Sequence, residues 1–381
     1  MKKIGAFLKK EPMLVVAVLA AIASLFITPP KKELLTSIDW HTLGTLFMML
    51  TVLEGFKQEN LFRPLIKLSV NFKTMATLSL FLIFGVFFTS MFVTNDVSLI
   101  IFVPLTILLF RGAGREECIL PVISMENIAA IRGSLLMPFG SPQNLFLYEQ
   151  SGTKALHFML HMAPLCVVSG ILLIIFVLIM YRKELRKKIS INASAVTSEW
   201  TKEGRVKRIT YLVLFLMILF TIVSRTAYWP IAVGVVIVAV LVVNRRLFLA
   251  VDYVLLVTFF CFFVFSSSIT ANPAISNFLK NAVAGSEYWW TIGLSQIISN
   301  VPASIVLYPF AENFAGLIYG ADTAGLVSLI GSLASVINYR IYVREYPKNG
   351  KKFILTFTLI SWAFFAIVVI PGYLLSKYWA W

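Results

Sequence analysis

The sequence predicts an all-α polytopic membrane protein: an inverted repeat of helices with two re-entrant hairpins and broken helices. Three observations predict it. The 381 residues are 59% hydrophobic and only 13% charged, whereas soluble domains carry about a quarter charged residues. Apolar runs long enough to cross a bilayer recur along the whole chain, about ten or eleven membrane segments in all. Polar turn residues interrupt two of the longest runs at matching places, Val93-Thr94-Asn95-Asp96-Val97 and Ser299-Asn300-Val301-Pro302.

The first span, 13–29, follows a basic stretch. It ends in Ile27-Thr28-Pro29-Pro30 without a small-residue cleavage site, so it reads as a retained span rather than a signal peptide. A second span covers 39–56. A double arm at 76–111 pivots on Thr94-Asn95-Asp96. The span 118–148 is broken at Gly140-Ser141-Pro142-Gln143-Asn144, where Ser141 as cap and Pro142 at the first helical position restart a helix. The span 155–181 closes a first repeat, 1–181. A cytoplasmic basic loop, 182–208, and a linking span, 209–225, lead into a second repeat, 226–381. Its elements are spans at 229–244 and 252–270, a double arm at 288–311, a broken span at 321–340 and a final span at 353–375. Tyr378, Trp379 and Trp381 then form an interfacial aromatic belt.

The halves echo each other in wording. Ile38-Asp39-Trp40 and Val251-Asp252-Tyr253 open corresponding spans, and Pro104 and Pro309 each follow ten residues after Thr94 and Ser299. Gly133-Ser134 and Gly140-Ser141 in the first half answer to Gly331-Ser332 in the second.

Charge supports the layout. With a cytoplasmic N-terminus and both double arms leaving on the side they entered, 26 of the 33 Lys and Arg residues fall inside, as the positive-inside rule requires. If either double arm crossed fully, every later loop would flip. The net charge of +15 is therefore topology, not a nucleic-acid surface. The linking span inverts the second repeat, and the C-terminus falls outside. An inverted repeat with paired broken segments is the pattern of secondary transporters, whose sites lie near the bilayer midplane.

At each tip the backbone leaves the helix, which is tolerable in a membrane only inside protein or beside a water-filled cavity. Asn95 or Asp96, and Asn300, are expected to cap the outgoing arms. Their N-termini favour anions, while freed carbonyls and side-chain oxygens suit a hard monovalent cation. The expected cation site comprises Thr94, Asn95, Asp96, Gly140, Ser299, Asn300 and Gly331. The expected substrate site comprises Asn95, Asn300, Pro142, Asn144, Ser335, Asn338 and Arg132. Arg132 is the one cation placed within a span; it binds an anionic substrate or pairs with a carboxylate such as Glu126 or Asp96. A six-residue offset puts Glu126 on another helical face. Asp96 takes up a coupling proton, helps bind sodium, or caps a helix.

Cys118, Cys166 and Cys261 have no pairing or metal spacing and read as core residues. His157 and His161 have zinc-like spacing but no third ligand. No metal and no cofactor is expected beyond the coupling ion, sodium or a proton. An intramembrane enzyme would need a metal motif, paired aspartates or a nucleophile with its base, and none is evident.

The tips, with Pro104, Ser299-Asn300-Val301-Pro302-Ala303 and the breaks at 140–144 and 331–335, resemble the ion-transporter superfamily of divalent-anion/sodium symporters, citrate permeases and arsenite/anion permeases. The resemblance implies a scaffold and a transport domain, a homodimer in the cell membrane and elevator-type alternating access. In the dicarboxylate branch each tip carries Ser-Asn-Thr. Here Asn95 and Asn300 match its asparagine, and Thr94 and Ser299 its serine. Asp96 and Val301 depart from its threonine, and the Asn-Asp tip is closer to the arsenite/anion branch. The expected function is secondary transport of a small anion, a di- or tricarboxylate or an inorganic oxyanion, coupled to sodium or protons. A sodium/proton antiporter using Asp96 is the alternative. A channel would need a repeated filter or a ring of charges.

Overall fold

A computed structural model describes residues 11–29, 38–61, 68–69, 72–185 and 204–378. Among these residues it is all-helical, with sixteen α-helices and no strand. Most of the basic loop at 182–208, together with Trp379 and Trp381, lies outside the described residues.

Two helices open the chain, α1 (Pro12–Ile27) and α2 (Trp40–Gln58). Next come a hairpin, α3 (Met75–Val93) and α4 (Asn95–Gly112), a broken helix, α5 (Ile119–Ser134) and α6 (Pro142–Ser151), and the long α7 (Ala155–Met180). The linking span is α8 (Gly204–Ser224). Then follow α9 (Trp229–Asn244), α10 (Tyr253–Thr270) and the short α11 (Pro273–Val283). A second hairpin, α12 (Glu287–Ile298) and α13 (Asn300–Leu307), precedes a second broken helix, α14 (Phe314–Ala324) and α15 (Leu333–Glu345), and α16 (Gly350–Tyr378) ends the fold. Among the described residues, seven helical segments have the length and apolar composition to cross a membrane, α3 and α4 among them.

The echo of Asp39 and Asp252 has a structural cause. Each is the N-cap of its helix, with φ −77° and ψ 82° at Asp39 and φ −77° and ψ 80° at Asp252. Asp39 accepts from Thr42 N at 2.9 Å and Asp252 from Leu255 N at 3.0 Å, satisfying a donor that a helix start leaves free.

Packing repeats as well. In the first half α5 packs on both hairpin helices, α3 and α4, and on α7; in the second, α14 packs on α12, α13 and α16. The halves also cross: α4 packs on α15 and α13 on α6, while α1 packs on α10 and α2 on α9. Helices α1, α2, α8, α9 and α10 thus form one packed group, and the hairpins, broken helices, α7 and α16 another. The groups meet where α2 touches α4 and α6 and where α10 touches α13. At the far end of α6, Gln150 Nε2 donates to Asp39 Oδ2 at 2.7 Å and the Arg225 guanidinium stacks on the Tyr148 ring at 4.1 Å.

Two expectations need correction. The second broken span begins at Phe314, not near 321, because Asn313 caps it by accepting from Gly316 N at 3.0 Å. The matched prolines also occupy different structures. Pro104 lies inside α4, whereas Pro309 sits in a 3-10 turn, Tyr308–Phe310, that follows α13. The second outgoing arm therefore has 8 residues against 18 in the first.

Candidate functional site

Both tips turn on a non-glycine residue in a conformation that glycine dominates. Thr94 has φ 72° and ψ 155°, and Ser299 has φ 70° and ψ 160°. A side chain held there costs on the order of 1–3 kcal/mol, so the surroundings must impose it. Thr94 and Ser299, not Asn95, Asp96 or Asn300, occupy the N-cap positions, and neither makes a side-chain cap bond. The expected capping role thus gives way to other bonds. Asn95 Oδ1 accepts from the neighbouring Asp96 N at 2.9 Å. Asn300 Nδ2 donates to Ala321 O at 3.2 Å, and its backbone N to Gly331 O at 3.2 Å.

The breaks are built alike too. Ser141 caps α6, its hydroxyl accepting from Asn144 N at 3.4 Å, and Pro142 follows at the first helical position. A Cβ on Gly140 would overlap the carbonyl oxygen of Ser134, and one on Gly331 would overlap that of Ala324. Only glycine lets the chain fold back this closely on the helix it has left.

Tips and breaks converge. A cavity of about 380 Å³ is lined by Asn95 and Asp96 from the first tip, Ser299 and Asn300 from the second, Pro142 and Gln143 from α6, and Ser332 beside α15. An adjoining cavity of about 420 Å³ reaches Thr94, Asp96 and Ser141. Both have Glu11 and Asp252, the caps of α1 and α10, in their walls, and the first adds Arg340. Asp96 Oδ1 is buried with no hydrogen-bond partner among the described residues.

Of the expected site residues, Thr94, Asn95, Asp96, Pro142, Ser299 and Asn300 come together at these cavities; Gly140, Gly331, Asn144, Ser335, Asn338 and Arg132 do not line them. Asn144 Nδ2 donates to Ser134 O at 3.3 Å and so closes the first break. Ser335 Oγ accepts from Asn127 Nδ2 at 3.0 Å, and Asn338 Nδ2 donates to Ile123 O at 2.7 Å, tying α15 to α5. Arg132 is fully buried, and its ionisable neighbours are Asp322, Tyr288 and Cys166. Glu126 faces elsewhere and accepts from the Thr106 hydroxyl.

Sequence reasoning missed Gln143, Ser332, Arg340 and Glu11 in the wall and Asp322 behind it. The signal for Gln143 and Ser332 was present, since each was already named within a break and only left out of the site. Asp322 offered less. It is one carboxylate in the mixed stretch Tyr319-Gly320-Ala321-Asp322-Thr323, and only the fold brings it to Gln143.

The family model described as citrate transporter matches residues 6–331. The chain is 32% identical over 363 residues to the inner membrane protein YbiR of Escherichia coli (strain K12), covering 92% of this chain and 91% of that protein. It is 29% identical over 330 residues to the uncharacterized transporter MJ0456 of Methanocaldococcus jannaschii, covering 86% and 87% of the two chains.

Proposed function

The chain belongs to the citrate transporter family, and on that premise we propose that it is a secondary active transporter carrying a di- or tricarboxylate, coupled to sodium or protons. The observation that carries this reading is the cavity where both hairpin tips and the starts of both helix restarts meet. Its wall holds the carboxylates of Asp96, Asp252 and Glu11 against one guanidinium, Arg340. An anion entering alone would meet net negative charge, so positive charge must enter with it. Asp96 is the ligand for that charge, with Thr94, Asn95, Ser299 and Asn300 supplying neutral oxygens. The uncapped N-termini of α4 and α13 favour the substrate carboxylates.

The two packed groups supply a scaffold, α1, α2, α8, α9 and α10, and a transport domain that slides against it. The reciprocal contacts of the halves support an inverted repeat with re-entrant hairpins. Glu11 and Asp252 cap the starts of α1 and α10, so the cavity opens on the side where those helices begin. With a cytoplasmic N-terminus, that is the inward-facing state. The functional unit in the cell membrane is a homodimer.

Uptake into proteoliposomes under separate sodium and proton gradients tests the reading, with citrate, succinate, arsenite and an inorganic oxyanion as probes. Gradient-driven uptake of citrate or succinate, lost in Asp96→Asn, is expected. Sodium exchanging for protons with no anion moved would replace this reading by an antiporter using Asp96.

A further inference from the structure

Three consecutive residues at the end of α6 grip the other packed group. Gln150 Nε2 donates to Asp39 Oδ2 at 2.7 Å, and Glu149 Oε2 lies 3.3 Å from His41 Nδ1. The Tyr148 carbonyl accepts from the Arg225 guanidinium, which also stacks on the Tyr148 ring at 4.1 Å. Asp39 and His41 stand at the start of α2, and Arg225 stands in the turn between α8 and α9. The contact is buried: Tyr148 is 0% exposed and the Glu149 side chain 6%. On its other side, the His41 ring lies 5.4 Å from the Trp229 ring, at the start of α9.

Its place gives it leverage. Pro142 and Gln143 open α6 at the cavity, and the 10 residues of that helix carry its last turn about 15 Å away. Helix α2 joins the same two places. Leu53, Glu54 and Lys57 of its last turns line the adjoining cavity, while Asp39 and His41 stand at its other end. Contact and cavity thus occupy opposite ends of the same two helices, one from each packed group. Hydrogen bonds tolerate little stretching, so a slide of α6 along α2 breaks the contact.

The contact is also incompletely satisfied. His41 Nε2, Glu149 Oε1, Tyr148 Oη and Arg225 Nε are buried with no hydrogen-bond partner among the described residues. Arg225 has φ 48°, the left-handed conformation that glycine usually supplies after a helix. Polar groups buried and unpaired weaken a joint, which suits a hold that has to release. Its imidazole is the one group whose charge ordinarily changes near neutral pH. The charged groups around it are Glu149 from α6, Asp39 beside it on α2 and Arg225 from the α8–α9 turn. Two carboxylates outweigh one guanidinium, so a proton on His41 adds attraction to Glu149. Neutral imidazole keeps a hydrogen bond at most.

We propose that Tyr148-Glu149-Gln150 is a latch on the scaffold, tightened by a proton on His41, that holds the state in which the cavity opens at the opposite face. This rests on reading the two packed groups as a scaffold and a sliding transport domain. The latch touches no substrate. It sets how readily the loaded domain leaves one state, and acid on its own face slows that release.

The test uses full chains. Asp39→Cys/Gln150→Cys places two thiols where the 2.7 Å bond was and leaves His41 and Glu149 in place. Wild type, with its three free cysteines, is treated alike as the control. Copper phenanthroline on proteoliposomes should close a disulfide that stops citrate or succinate uptake, and dithiothreitol should restore it. The double should cross-link about fivefold faster at about pH 5.5 than at about pH 8, relative to the same double carrying His41→Gln. Taking that ratio removes the pH dependence of the thiols themselves. Tm in detergent gives a second reading without cysteines: the advantage of wild type over His41→Gln, and over Glu149→Gln, should shrink across the same rise in pH. Uptake at the full rate in the cross-linked double overturns the latch. A cross-linking ratio and a Tm advantage that stay flat with pH overturn the part of the proton. If wild type moves no anion under either gradient, the transport reading fails, while cross-linking and Tm still decide whether a proton tightens this contact.

Discussion

Thr94 and Ser299 share one backbone conformation, each at positive φ with extended ψ, and each begins the outgoing arm of its hairpin. Two β-carbon-bearing residues held where glycine is at ease, at equivalent places, point to hydroxyls retained at a cost in strain. Alanine there keeps the strain and loses the hydroxyl, whereas glycine loses both. Thr94→Gly and Ser299→Gly should therefore be more stable than Thr94→Ala and Ser299→Ala by roughly 1 kcal/mol, despite glycine's looser unfolded chain. All four should transport poorly. Tm in detergent checks the order, and alanine variants matching the glycine ones would remove the strain argument.

The asparagines at the tips are not equal. Asn300 ties its hairpin to Ala321, while among the described residues Asn95 bonds only within its own turn. Asn300→Ala should lose about 1 kcal/mol of stability and Asn95→Ala much less, with uptake abolished in both. Full uptake in either variant would remove the tip from the site.

The folded-back breaks set a third expectation. Gly140→Ala and Gly331→Ala place a methyl group against a carbonyl oxygen, which costs about 1–3 kcal/mol or opens the break. Ser141→Ala removes one cap at about 1 kcal/mol. Purified yield and Tm should rank wild type first, Ser141→Ala second and the glycine variants last.

Asp39 and Asp252 should separate stability from transport. Both cap helices, but Asp39 also holds Gln150 and Thr42, and Asp252 instead faces the cavity. Asp39→Ala should cost about 2 kcal/mol and Asp252→Ala about 1. Uptake per folded molecule should fall further in Asp252→Ala. An equal fall in both would deny Asp252 a place at the site.

Much of this was legible in the sequence, because broken helices in an apolar chain leave polar words behind. Thr94-Asn95-Asp96, Ser141-Pro142 and the paired aspartate caps each mark a backbone that must leave or enter a helix. The caps at the tips were misread because positive φ at a threonine or serine has no compositional sign; glycine would have announced it. The start of α14 was hidden because its glycines, alanines and Asp322 dilute the apolar pattern that marks a span. Arg132 was visible as an exception, but its ionisable neighbours Asp322 and Tyr288 lie in the other half of the chain, beyond any local spacing rule.

The arms of the two hairpins differ in a way that the shared plan conceals. The first tip stands on helices of 19 and 18 residues, the second on helices of 12 and 8, with its backbone bonded across to Gly331. A longer strut yields more under the same load. The first hairpin thus has the longer lever and the second the extra tie, and ligands of different bulk should meet the second tip unchanged while displacing the first. Blockers graded by size would then share their grip on Asn300 and differ only in how far they push Asn95.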